Sequence, residues 1–199
     1  QALLLFKDRS IADEIIAQIE DFNESNQIGY GVNWTCTMDV ALRAINWAIA
    51  LNMIEASGKT IERSRMHNCY QHLFSHGHFI RNNLEDHYEV TSNHYLSNIV
   101  GLFYLSQTFR STESGDSWYS FARVAIETEM EIQVLPDGAD FESSVPYHRL
   151  VTELFLGAAR LAEYINEPFS EVFLNRLEKM VCYHHSLLRP DGRMPLVGD

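Results

Sequence analysis

The sequence is short of several things, and each shortage narrows what the chain can be. Three cysteines stand at positions 36, 69 and 182 of 199 residues, none of them in a CxxC pair. That spacing supports neither a disulfide framework nor a zinc site. Five prolines and ten glycines, with no low-complexity tract, exclude a collagen-like or disordered chain. No apolar run approaches the roughly 20 residues that span a bilayer, and Ala2–Phe6 is too short for a secretion signal. Basic residues are scarce: 15 against 27 acidic, a formal net charge of −12. Such a balance argues against nucleic acid or an anionic membrane as partner. No sharp internal repeat marks a standard solenoid.

What the chain does have is apolar surface. Hydrophobic residues make up 46% and aromatics 12%, enough to bury a sizeable core in one or two domains. They recur at helical spacing in seven segments. Ser10 to about Asn23 places Ile11, Ile15, Ile16 and Ile19 on one face, with Ser10 as N-cap. Gln27–Trp34 is a loop. Thr37 to about Glu55 is apolar almost all round and ends at Gly58, and Thr60 to about Asn83 is a third helical stretch. Asn93–Phe109 is again apolar on nearly every face, with Gly101 permitting close helix packing. Further helices run from about Ser117 to Val134, Pro146 to Ile165 and Pro168 to Leu188. No strand pattern alternates between them. The expectation is an all-α fold of helical hairpins in two layers, with chemistry in the loops where inner helices begin.

Polar residues on the apolar helices are the first functional signal. Asp39, Arg43 and Asn46 share one stripe of the second helix. The stripe reads either as an exposed ion pair, worth about 0.3–0.5 kcal/mol, or as the wall of a cleft. The third helix carries His67, His72, His76 and His78. His72 and His76 have the spacing to share a metal, but no HExxH pattern and no acid on that face supports one, so no metal is assigned. Asn93 follows Thr91-Ser92 and falls at a helix start, where it is a candidate N-cap.

The stretch Leu135–Arg149, LPDGADFESSVPYHR, concentrates the most polar chemistry. Pro136-Asp137-Gly138 is a turn signal. Ser143 or Ser144 is positioned to cap the helix that Pro146 opens. Tyr147 then lies in the first helical turn, where unpaired N–H groups and the helix dipole favour negative charge. Without that chemistry, the same residues are simply a capped helix with an amphipathic tyrosine.

Four blocks together resemble the helical domain of heparinase II/III-like polysaccharide lyases: WTCTMDVALRAINW (34–47), NHYLSNIVGLFYL (93–105), LPDGADFESSVPYHR (135–149) and RPDGRMPLVGD (189–199). The resemblance implies an incomplete (α/α) toroid over 1–188, with 189–199 entering a C-terminal antiparallel β-sandwich domain cut off beyond Asp199. It also implies β-elimination on a uronic-acid-containing polysaccharide, heparin-like or alginate-like. That reaction removes the proton α to the uronate carboxylate and expels the C4 oxygen. It needs a neutralised carboxylate, a base and an acid. By resemblance Asn93 matches the neutralising residue and Tyr147 the acid/base. As a base, Tyr147 would need help from local cations or the helix start, because a free tyrosine has a pKa of about 10. Arg43, with Asp39 on the same stripe, resembles a substrate-binding arginine. His94, Glu142 and His148 match motif positions and join the substrate-binding candidates. The family's catalytic histidine belongs to the sandwich domain, so this stretch alone is expected to be inactive. No cofactor is expected in it.

The resemblance also implies a periplasmic or secreted bacterial enzyme, with a cytoplasmic one left open. The acidic balance departs from what a highly sulfated substrate would ask, and suggests a less charged uronan or basic residues supplied by the missing domain. Two other classes compete. An (α/α) toroid glycoside hydrolase would use two carboxylates, with Asp137, Asp140 and Glu142 as candidates. A glycan-binding helical domain would use none.

Overall fold

The computed structural model describes residues 9–87 and 89–198. The apolar stretch Ala2–Phe6 lies outside the described residues. Within them the chain forms seven α-helices: α1 Arg9–Ser25, α2 Thr37–Ala56, α3 Arg63–Asn82, α4 Asn93–Thr108, α5 Glu113–Gln133, α6 Val145–Tyr164 and α7 Glu171–Ser186, with a 3-10 turn at Val32–Trp34. A single isolated bridge, Val134 with Asp140, is the extended pairing seen among these residues. No helix among the described residues is long and apolar enough to cross a membrane.

The expected helices are all present, but capping moves several starts. Ser10 is not a cap, because α1 already runs through Arg9. The start of α4 is capped by Ser92, whose hydroxyl accepts from the His94 N–H, so Asn93 is the first helical residue and not the N-cap. Thr112 accepts from the Gly115 N–H, which draws residues 113–116 into α5 where a loop was expected. Ser170 accepts from the Phe173 N–H, so α7 begins at Glu171 and not at Pro168. A hydroxyl that satisfies an otherwise orphaned donor is worth about 1 kcal/mol and decides between nearby candidate starts.

Packing follows from which helices are apolar all round. Eleven of the 16 residues of α4 are buried, including Leu96, Ile99, Leu102, Phe103 and Leu105. It is therefore central, and it packs against α2, α3, α5 and α6. Alternate helices are neighbours: α2 with α4 and α4 with α6 form one layer, while α1 packs on α3 and α5 on α7. That is the two-layer hairpin arrangement of an incomplete toroid. Helices alternating in one layer start on one side, so the beginnings of α2, α4 and α6 share a rim.

The α2–α4 contact is close because of one residue. A Cβ built on Gly101 would meet the Ala41 Cβ at 2.9 Å and its Cα at 3.2 Å. Backbone lies behind the contact, and backbone does not yield as a flexible side chain would. We expect Gly101→Val to cost on the order of 1–3 kcal/mol through overpacking, visible as a fall of several degrees in the thermal midpoint. An unchanged midpoint would mean that the two helices separate more easily than this contact allows.

Candidate active site

Three helix starts and one hairpin build the rim. Gln133 leads into a tight turn in which Leu135 N–H donates to Ala139 O at 2.8 Å and Phe141 N–H to Gln133 O at 3.0 Å. The Asp137 carboxylate accepts from the Ala139 N–H and closes the turn on itself. Gly138 has a φ of +95°, and a Cβ there would meet the Lys179 carbonyl carbon at 2.4 Å. Only glycine lets the hairpin sit this close to α7. Ser144 then caps α6 by accepting from the Tyr147 N–H, while Ser143 takes the left-handed conformation at φ +57°.

Glu142, on this hairpin, is the residue that ties it to α4. Its carboxylate accepts from the Asn93 backbone N–H at 2.9 Å and from the Asn93 amide at 2.8 and 2.9 Å. A carboxylate at a helix N-terminus meets orphan donors and the positive end of the dipole together. Asn93 is buried by the contact, at 4% exposure. The start of α4 is held from the other side as well: Thr91 donates to Glu129, and Gln133 donates to Ser92 O at 3.1 Å. Tyr147 follows Glu142 by five residues, half-buried, and its hydroxyl has no hydrogen-bond partner among the described residues.

His94 sits one step along α4 and faces the start of α2. Its Nδ1 lies 3.0 Å from Glu85 Oε1 and 3.8 Å from Cys36 Sγ. Burial would raise the Glu85 pKa, but hydrogen bonds from His94, Asn98 and the Met38 N–H outweigh it and hold the carboxyl below its usual range. Neither Cys36 nor Glu85 stood out in the sequence.

Arg43 is reached along the same helix, about 9 Å further from the α2 start at 1.5 Å per residue. It forms no ion pair with Asp39 among the described residues. Its guanidinium instead lies over the rings of Phe22 at 4.5 Å and Trp34 at 5.0 Å. It donates to His76 Nε2 at 3.1 Å and to Asn33 O at 3.2 Å. Burial lowers its pKa to about 10, partly offset by the nearby Asp39 charge, so it stays cationic at neutral pH. Because His76 Nε2 accepts from Arg43, its Nδ1 carries the proton and donates to His72 O at 2.8 Å. Burial, with the Arg43 charge beside it, pushes that imidazole to about 3 and keeps it neutral. Both nitrogens of His76 are thus engaged, and the His72/His76 pair has no geometry for a shared metal.

His148 is buried beneath the rim. Its Nδ1 accepts from the Asp140 N–H at 3.3 Å and its Nε2 donates to Met180 O at 3.2 Å. It therefore pins the hairpin to α7 from inside. Asp140 is buried beside it at 4% exposure, with neither carboxyl oxygen hydrogen-bonded. Burial, then the charge of Glu142, pushes its pKa up to about 7. The two residues line a cavity of about 290 Å³ with Ser143, Ser144 and Tyr183. A larger opening of about 520 Å³ lies between the C-terminal halves of α2, α4 and α6, at the end of the layer away from all of these groups.

Residues 3–199 match the family described as Heparinase II/III N-terminus. A heparin-sulfate lyase of Pedobacter heparinus is 28% identical over 118 residues, covering 58% of this chain and 18% of that protein. The solved heparan sulfate lyase HepC from Pedobacter heparinus superposes with a TM-score of 0.72 at 19% identity, over 100% of this chain and 31% of the other. A solved heparinase III gives 0.78 at 17% identity, over 96% and 29%. The chain spans less than a third of the length of each of these relatives. At such identities the two structures attest the fold.

Asp140 provides a check on the hairpin geometry. Its pKa is raised on folding, so its contribution is most favourable below the unfolded value near 3.9 and is lost as pH rises through about 7. Asp140→Asn should therefore match the parent protein in stability at pH 4 and exceed it at pH 8, by roughly 3–5 kcal/mol at most. Thermal unfolding of both proteins across that range reads the difference directly. A constant difference would place the carboxyl in water.

Proposed function

We propose, from the premise that this chain belongs to the Heparinase II/III N-terminus family, that it supplies the helical half of the active site of a polysaccharide lyase. The substrate class is a uronic-acid-containing glycan, heparan-sulfate-like or alginate-like, cleaved by β-elimination. The observation that supports it best is the triple hydrogen bond from Asn93 to Glu142. It holds the candidate carboxylate-binding residue against the hairpin that leads into the helix bearing the candidate acid/base.

The geometry is compatible with each role. The two oxygens of Glu142 subtend too narrow an angle at the Asn93 amide nitrogen to take both N–H bonds head-on. One amide hydrogen therefore remains for a substrate carboxylate, where it would disperse the charge that builds as the α-proton leaves. The unpartnered Tyr147 hydroxyl would protonate the departing C4 oxygen, or accept the α-proton. Arg43 would steer the polyanion, since its stacked guanidinium stays charged. His94 would contact the same substrate. In this reading Glu142 and His148 position the hairpin. The hydrolase alternative needs two carboxylates facing one water. Asp137 is spent on its own turn and Glu142 on Asn93, which leaves that reading without a pair. The relatives' greater length supports a further domain that completes the cleft.

In the whole enzyme carrying this chain, Tyr147→Phe should lower turnover by about 10²–10⁴-fold without shifting the thermal midpoint. Asn93→Ala should lower it by about 10²–10³-fold. Ultraviolet absorbance of the unsaturated uronate product, on heparan sulfate and on alginate, reads both. A Tyr147→Phe enzyme that retains a tenth of the parent rate, or a product without unsaturation, would overturn the assignment.

A further inference from the structure

Where the start of α2 meets the start of α4, three chemically different ligating groups converge. Cys36 Sγ lies 3.9 Å from Glu85 Oε1 and 3.8 Å from His94 Nδ1, and that nitrogen lies 3.0 Å from the same Glu85 oxygen. The three ligating atoms all lie within 4.8 Å of one another. Zinc bonds of about 2.0–2.3 Å at tetrahedral angles separate neighbouring ligand atoms by about 3.3–3.6 Å. Every observed separation is within about half an ångström of that range. We propose that Cys36, Glu85 and His94 form a zinc site with one open coordination position.

The surroundings favour this beyond the distances. The second oxygen of Glu85 is held by the Met38 N–H at 2.9 Å and the Asn98 amide at 3.1 Å, which turns Oε1 toward the cysteine and histidine. Outer partners of this kind orient metal-binding carboxylates. Cys36 occupies the N-cap of α2, where burial and then the Glu85 charge outweigh the backbone N–H groups and hold the thiol protonated until a cation binds. Thiolate and carboxylate together bring two negative charges to one spot. Among the described residues Glu85 has no lysine or arginine ion-pair partner, so a divalent cation would compensate both. A thiolate, an imidazole and a carboxylate form a donor set that suits zinc better than calcium or magnesium. The His94 side chain is 44% exposed, which leaves the fourth position open to water.

Binding has a defined proton balance. Zinc displaces the Cys36 thiol proton, which goes to solvent. It takes the lone pair of His94 Nδ1, whose proton moves to Nε2. Affinity should therefore rise with pH through the neutral range. The bound form also turns His94 Nε2 into a hydrogen-bond donor. The inference does not depend on the lyase assignment, because its test reads metal binding and not turnover.

The test titrates the full chain, free of any histidine tag and stripped by chelator, with zinc, and with cobalt(II) as an optical probe. One zinc per chain is expected, with a thiolate-to-cobalt charge-transfer band in the near ultraviolet. Zinc should also protect Cys36 from alkylation while leaving the exposed Cys182 reactive, a measurement that needs no variant. Cys36→Ser should abolish the cobalt band, and Cys36→Ser and Glu85→Gln should each weaken zinc binding by about 100-fold or more. Cys182→Ser should change nothing. A cobalt complex without a thiolate band, zinc that fails to protect Cys36, or undiminished affinity in a folded Cys36→Ser or Glu85→Gln protein would overturn the proposal.

Discussion

One carboxylate holds the rim together. Glu142 accepts from the Asn93 backbone N–H and from its side-chain amide. Remove that contact and two buried donors at the start of α4 lose their partner, at a cost that exceeds the worth of the bonds themselves. More is lost than bonds. The hairpin from Val134 to Ser144 would then rest on its own turn and on its ties to α7, through His148, Arg176 and Lys179. Tyr147, on the first turn beyond that hairpin, has no other tie to α4 of this kind. Placement of the candidate acid/base thus draws on a residue with no chemical part in the proposed step, beside the packing of α6 on α4.

The layered helices explain why the chemistry gathers where it does. Helices α2, α4 and α6 share a layer and a direction, so their positive dipole ends point to one rim. In the proposed reading, an anionic substrate would meet three such ends and the stacked Arg43, although the chain as a whole carries −12. Local field and net charge are separate quantities, and a cleft can be attractive on an acidic protein. The acidic total therefore says less about the substrate than composition alone suggests.

Much of this was legible in the sequence. All seven helices announce themselves through apolar spacing, because the core demands it over many residues. Their starts are less legible, since Thr112 and Ser170 compete with nearby residues for the same capping task and only the packed chain decides. Resemblance of the motif blocks singles out Asn93 and Tyr147, and the structure puts each in the first turn of a helix. What the pattern does not carry is the company they keep. Glu85 meets Cys36 across 49 positions and Glu142 meets Asn93 across another 49, and no local periodicity records such pairs. Arg43 shows the same limit: its stripe suggested Asp39 as partner, while the folded chain sets it on two aromatic rings.

The close approach of Gly101 to Ala41 has a consequence beyond its own contact. With no side chain between them, α2 and α4 cannot slide without backbone colliding, so Cys36, Arg43, Asn93 and His94 move as one body. The hairpin is held by bonds instead: its own turn, His148, Arg176 and Lys179 toward α7, and Glu142 toward α4. The rim therefore has two kinds of anchorage, close backbone contact between α2 and α4 and hydrogen bonds from the hairpin to α4 and α7.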